Sequence, residues 1–199
     1  GEKYLINILR GQLAMRNEEY DKAIELFELA MDGRRVSDTD CYDILSVCMF
    51  KQGNTDEAVA LLDTVCESSG NHVHHFLLYD MYMYLGDFKA AGNTLQRYKS
   101  LCGVGALDDT YSFLYAEFLM NSGKGLVAKK IAESVASPDG ERLCGIIELM
   151  YRQKGKAIRI FKKLIRKQSE FIDNYSWLSL VLYLKGLNAE AQEYAKQGL

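Results

Sequence analysis

Proline is almost missing from this chain: one residue, Pro138, in 199. Tryptophan also occurs once, at Trp177, and no stretch alternates Val, Ile or Thr with polar residues for more than a few positions. A sheet protein shows that period-2 alternation between turn signals, so the sequence reads as all-α. No apolar run reaches the roughly 18 residues of a membrane span, and no leader-peptide layout opens the chain. Membranes are therefore not expected among its partners. The five cysteines (Cys41, Cys48, Cys66, Cys102, Cys144) are odd in number and lack Cys-x-x-Cys spacing, and four lie inside apolar helical patterns. They read as buried free thiols, which implies a reducing compartment: intracellular and cytoplasmic, with the nucleus allowed.

Signatures of catalysis are lacking as well. Ser122-Gly-Lys-Gly125 has neither the first glycine nor the trailing Ser or Thr of a phosphate loop, and no G-x-S-x-G or H-E-x-x-H occurs. His72, His74 and His75 with Cys66 match no zinc spacing, and consecutive residues at a helix start point in different directions. The expectation is a non-enzymatic protein with no metal and no cofactor.

What is present is a repeat. Lys51-Gln-Gly-Asn-Thr-Asp-Glu-Ala-Val-Ala-Leu-Leu62 reads as a helix end, a turn and a helix start, with Asn54, Thr55 and Asp56 offering side-chain oxygens to the next helix. Similar punctuation returns at Gly86, Gly123, Gly155 and Gly186. Ala23, Ala58, Ala91, Ala128, Ala157 and Ala191 each open an amphipathic segment, at spacings of 35, 33, 37, 29 and 34 residues. That is the period of a two-helix unit.

Along the first unit, Gly11 is followed by Ala23, Phe27 and Ala30 at i, i+4 and i+7. Here the chain resembles the tetratricopeptide repeat (TPR) family, whose pattern wants a small residue in the first helix, then alanine, a large apolar residue and a small residue in the second. Tyr42, Leu45, Gly53, Ala58 and Leu62 continue it, then Leu78, Gly86, Phe88, Ala91 and Leu95, then Ala116, Gly123 and Ala128, and finally Trp177, Leu178, Gly186, Ala191 and Ala195. The resemblance implies a right-handed α-solenoid, one domain over 1–199, with units near 4–36, 39–70, 72–103, 109–137, 138–169 and 172–199. Two departures carry expectations. Gly125 and Ala132 replace bulky residues, so the fourth second helix should pack loosely; Gly155 lies two residues before Ala157, so the fifth unit should have a shortened turn. Ser137-Pro138-Asp139 reads as a helix N-cap followed by proline in the first turn. No polar capping helix follows the sixth unit, so the parent chain is expected to continue, or this end to meet a second copy or a further TPR subunit.

First helices line the concave side of TPR folds. Taking the face away from the second helices gives a candidate groove of Ile8, Met15, Asp43, Phe50, Phe76, Asp80, Met83, Tyr84, Phe113, Glu117, Met120 and Tyr183. Methionine and aromatic rows suit an apolar peptide or helix, and the carboxylates favour one carrying Lys or Arg. The alternative is that these are inter-helix core and a solvated face. The groove does not resemble the TPR clamp for acidic chaperone tails, since Ile8, Gln12, Asp43, Val47 and Asp80 stand where that clamp carries Lys, Asn and Arg.

A second feature is basic. Lys156, Arg159, Lys163, Arg166 and Lys167 form one stripe opposite Ile158, Phe161 and Ile165, fit for an acidic partner or simply for water. Residues 1–100 carry 10 basic and 16 acidic side chains, and 101–199 carry 14 and 11. Cys41-Tyr-Asp-Ile-Leu45 followed by Gly53 to Leu62 also resembles the RNA-reading pentatricopeptide family, which repeats at about 35 residues, but an acidic groove and a pI near 5.7 oppose a polyanion. The leading expectation is an interaction scaffold or adaptor within a multiprotein assembly; the alternatives are an RNA-binding protein or a chaperone for an apolar segment.

Overall fold

The computed structural model describes residues 2–32, 41–68, 73–102 and 109–199. Among them are twelve helices and no strand. They form antiparallel pairs: α1 (Glu2–Arg16) with α2 (Tyr20–Met31), α3 (Cys41–Gln52) with α4 (Thr55–Ser68), and α5 (Val73–Leu85) with α6 (Phe88–Cys102). Then come α7 (Asp109–Asn121) with α8 (Gly125–Ser134), α9 (Pro138–Met150) with α10 (Lys154–Lys167), and α11 (Ile172–Leu184) with α12 (Asn188–Gln197). The chain divides into two compact units, Gly1–Gly105 and Ala106–Leu199.

One local device makes every pair. A residue in the left-handed region ends each first helix: Glu18, Gly53, Gly86, Gly123, Arg152 and Gly186, with φ between 59° and 106°. The next residue then acts twice. Its amide donates back five residues, closing the first helix in a Schellman turn, as Asn54 does to Met49 (2.9 Å) and Leu187 to Leu182 (3.0 Å). Its carbonyl accepts from the alanine four residues on, as Asn54 does from Ala58 and Leu187 from Ala191 (3.0 Å each). All six alanines of the repeat stand at this place and are buried. A larger side chain there would hold the two helices apart.

The fifth turn corrects the sequence reading. Arg152 (φ 59°), not Gly155, occupies its left-handed position, five residues before Ala157 as in every other pair. The turn is full length, and Gly155 lies inside α10. The residues missing from this period fall instead around α8, which has 10 residues and is joined to α9 by only Val135, Ala136 and Ser137. Nor is α8 loosely packed. A side-chain carbon at Gly125 would lie 2.9 Å from the Tyr151 ring, and one at Gly140 would lie 2.7 Å from the Ala132 carbonyl oxygen, so small residues here permit close approach. Ser137 is the N-cap of α9 with Pro138 at its first position, as expected, although its hydroxyl makes no capping bond. In the second turn the Asn54 side-chain amide donates to Gln52 (3.1 Å), whereas the Asp87 carboxylate caps α6 at the Ala90 amide (2.9 Å).

In the first unit the core runs from Ala14, Ala23, Phe27, Met31, Cys41, Leu45 and Cys48 to Leu62, Val65, Cys66, Leu78 and Met81. In the second it is built on Ala116, Leu119, Ala128, Ala132, Leu143 and Ile147, then on Ala157, Phe161, Leu164, Leu178, Val181 and Leu182. Phe27 and Phe161 are fully buried, each contributing about 1.5–3 kcal/mol of hydrophobic stabilisation. Among the described residues no helix is long and apolar enough to cross a membrane.

Candidate functional site

The first unit holds a cleft of about 350 Å³ between the first helices of its second and third pairs, lined by Val47, Phe50 and Lys51 of α3 and Leu77, Asp80, Met81 and Tyr84 of α5. The positions follow from helical geometry: Val47, Phe50 and Lys51 share one face, and Leu77, Asp80, Met81 and Tyr84 share the facing one at i, i+3, i+4 and i+7. Met81 is buried and belongs to the core below, which anchors the floor. Phe50 and Tyr84 meet edge to face, their centroids 5.4 Å apart and their planes at 74°. Tyr84 is nevertheless 81 % exposed, an unusual position for a ring of that size. The Asp80 side chain enters no hydrogen bond or ion pair among the described residues, and desolvation against this apolar lining pushes its carboxyl above the ordinary range.

The other groove residues distribute differently. Phe76 turns its ring to Tyr98 of α6 at 4.7 Å, so it serves its own helix pair. Met120 is 8 % exposed and sits inside the second unit's core with Ala116, Leu119 and Ala128, while Phe113 packs on that cluster half-buried. Ile8 and Met15 are half-buried against the first core, and Met83 and Glu117 are also half-buried. Asp43 accepts the Ile44 amide (2.7 Å), and its second oxygen lies 3.9 Å from Nδ1 of the buried His74. Tyr183 is 64 % exposed and lines a separate hollow of α11 and α12 with Ser176, Ser179 and Leu180. Phe50, Asp80 and Tyr84 are the three candidates that the cleft brings together. Lys51 and Leu77 escaped the sequence reading because only one row per helix was followed; the residues beside that row belong to the wall.

The basic stripe of α10 is largely engaged within the protein. Lys167 and Lys163 both donate to Glu141 Oε1 (2.7 and 3.1 Å), and the Lys167 bond, with that from Lys163, holds the Glu141 carboxyl below its ordinary value. Lys156 lies 4.0 Å from the buried Glu148, which takes a 2.6 Å bond from Lys129. Arg159 and Arg166 alone among the five have no ion pair with the described residues. Four cysteines, Cys41, Cys48, Cys66 and Cys144, are buried free thiols as expected, while the side chain of Cys102 lies outside the described residues. His74 and His75 lie in the first turn of α5, as expected, and are buried there; His72 lies outside the described residues. No metal-binding cluster occurs among the described residues.

The repeated Schellman turn, the buried alanine and the paired helices at a period near 34 residues all belong to one architecture, and solved structures of that architecture superpose on this chain. One is a tetratricopeptide repeat protein of Parabacteroides merdae, at 17 % identity over 98 % of this chain and 78 % of that one, with TM-score 0.68. Another is TTC0263, a thermophilic TPR protein of Thermus thermophilus, at 15 % identity over 90 % and 99 %, with TM-score 0.71. This chain has the TPR fold. A third likeness, to the APC/C hetero-tetramer Cut9-Hcn1, is at 15 % identity over all of this chain and 40 % of that one, with TM-score 0.72. No protein-family model matches the sequence, and no curated protein matches it. The cleft lies between the first helices of two consecutive pairs, α3 and α5.

Proposed function

We propose that this TPR-fold chain is a non-enzymatic scaffold or adaptor that holds a protein segment, a peptide or a helix, on its first-helix face, and that it works as a subunit of a multiprotein assembly in a reducing compartment. The observation that carries this is the α3–α5 cleft: Phe50 and Tyr84 offer apolar surface to solvent beside a carboxylate with no partner among the described residues. An apolar segment bearing Lys or Arg complements both features. The likeness to a chain of the Cut9-Hcn1 hetero-tetramer supports the assembly role, and the four buried free thiols support the compartment. The exposed Leu180, Tyr183 and Leu184 at the last helix pair support contact with a second copy or a further TPR subunit.

The test is affinity capture from native lysate with wild type and with Phe50→Ala combined with Tyr84→Ala, after circular dichroism shows equal helicity. Both rings reach the surface, so the variant should fold. Loss of the same partners on repeated capture is the expected result. Retention of every partner by the variant would remove the cleft from the binding surface.

A further inference from the structure

We infer that the α3–α5 cleft is a pocket for one cationic side chain, the ammonium of a lysine or the guanidinium of an arginine presented by the bound segment. The inference rests on the reading of this cleft as the interaction surface and names what anchors the segment there.

Three observations converge on a cation. Asp80 holds a full carboxylate at the apolar wall with no donor satisfying it among the described residues. The residue remains exposed at the cleft, so its carboxylate is open to an incoming N–H cation, which supplies both opposite charge and hydrogen bonds. The ring pair is the second. Phe50 and Tyr84 stand at 74°, so they form a corner, and the 81 % exposure of Tyr84 leaves ring surface open for a cation to rest on. The third is the remaining lining. Val47 and Leu77 form an apolar wall suited to the methylene stem that both lysine and arginine carry.

Lys51 completes the rim and sets the chemistry against which the pocket works. Its ammonium forms no ion pair with Asp80 or with any other carboxylate among the described residues, and the residue is exposed. A second cation entering beside it meets repulsion, which the carboxylate must exceed. The pocket therefore responds in opposite directions to its two charges: loss of Asp80 weakens cation binding, and loss of Lys51 strengthens it. A merely greasy cleft would respond to neither.

The experiment is a titration of isotope-labelled protein, followed by amide NMR, with Nα-acetyl-arginine amide, Nα-acetyl-lysine amide and the neutral Nα-acetyl-citrulline amide. Saturable shifts confined to residues 47–51 and 77–84 are expected with either or both cations and not with citrulline, and the two cations compared tell which head group fits. Asp80→Asn should weaken the binding about tenfold or more, the scale of a lost charge-assisted contact. Lys51→Met should tighten it. Absence of shifts with both cations, equal shifts with citrulline, or indifference to Asp80→Asn would overturn the inference. Capture of partners lost in Phe50→Ala with Tyr84→Ala but kept in Asp80→Asn would leave the cleft as the interaction surface and reject the cation. Capture kept by both would reject the cleft itself.

Discussion

A side-chain carbon placed on Gly145 of α9 would lie 2.8 Å from Cζ of Phe161 on α10, and one placed on Gly11 of α1 would lie 2.8 Å from Cε1 of Phe27 on α2. Each glycine precedes its phenylalanine by sixteen residues, so the first and fifth pairs use the same small-against-large contact. Gly145→Ala removes a flexible residue from a helix yet drives a methyl into a fully buried ring, and overpacking outweighs helix propensity. The expected loss is about 1–3 kcal/mol by urea denaturation. Gly155→Ala, where nothing lies within 4 Å of the new carbon, should instead gain about 0.4–1 kcal/mol. A loss at both positions would disprove the assignment of Gly155 to the helix.

Arg152 and Gly186 hold the same backbone conformation at φ 59° and 86° with opposite suitability. A non-glycine residue in the left-handed region costs roughly 1–2 kcal/mol. Gly186→Ala should lower stability by about 1 kcal/mol or more, while Arg152→Gly should raise it by less, because glycine adds entropy to the unfolded chain. Thermal melts of the two variants give the signs directly.

Asp80 is predicted to oppose folding while serving binding. Its folded-state pKa is raised by desolvation, so the native state takes up its proton more readily than the unfolded chain. The resulting penalty is absent below the unfolded pKa, grows as pH rises to the folded value, and is complete above it. Asp80→Asn should therefore raise the melting temperature at neutral pH, with the gain vanishing in acid. A lower melting temperature at neutral pH would contradict the absence of a compensating partner.

The buried thiols should be inert in the native state. Burial pushes Cys48 and Cys144 up to about 11, and Cys66 up to about 12. The thiolate is the reactive form, so modification at pH 8 should be slow and should accelerate together with urea unfolding. Rapid native-state labelling of Cys48, Cys66 or Cys144, mapped by mass spectrometry, would place them outside the core.

The fold was legible because it repeats. Ala23, Ala58, Ala91, Ala128, Ala157 and Ala191 are the residues whose amides start the second helices, and a period carried by six buried alanines survives weakness at any one. Where glycine marked a left-handed turn the sequence announced it, but Arg152 and Glu18 adopt that conformation without announcement. Those turns are imposed by the flanking helices, and side-chain chemistry at the turn does not reveal them.

The candidate site was legible only in part. Helical periodicity placed Phe50, Asp80 and Tyr84 on first-helix faces, because an i, i+4, i+7 row follows from 3.6 residues per turn. Periodicity treated Phe76 and Met120 in the same way, and the structure turns one to Tyr98 and sinks the other into the core. One sequence thus determined the all-α repeat and its two-helix period, since these are local and recur within a helix pair. Which rings remained at the surface, which lysines were neutralised by Glu141 and Glu148, and which carboxylate found no partner among the described residues depended on helices meeting across tens of residues. Only tertiary packing decides those, because a side chain's partner is set by the neighbouring helix that reaches it and not by its own period.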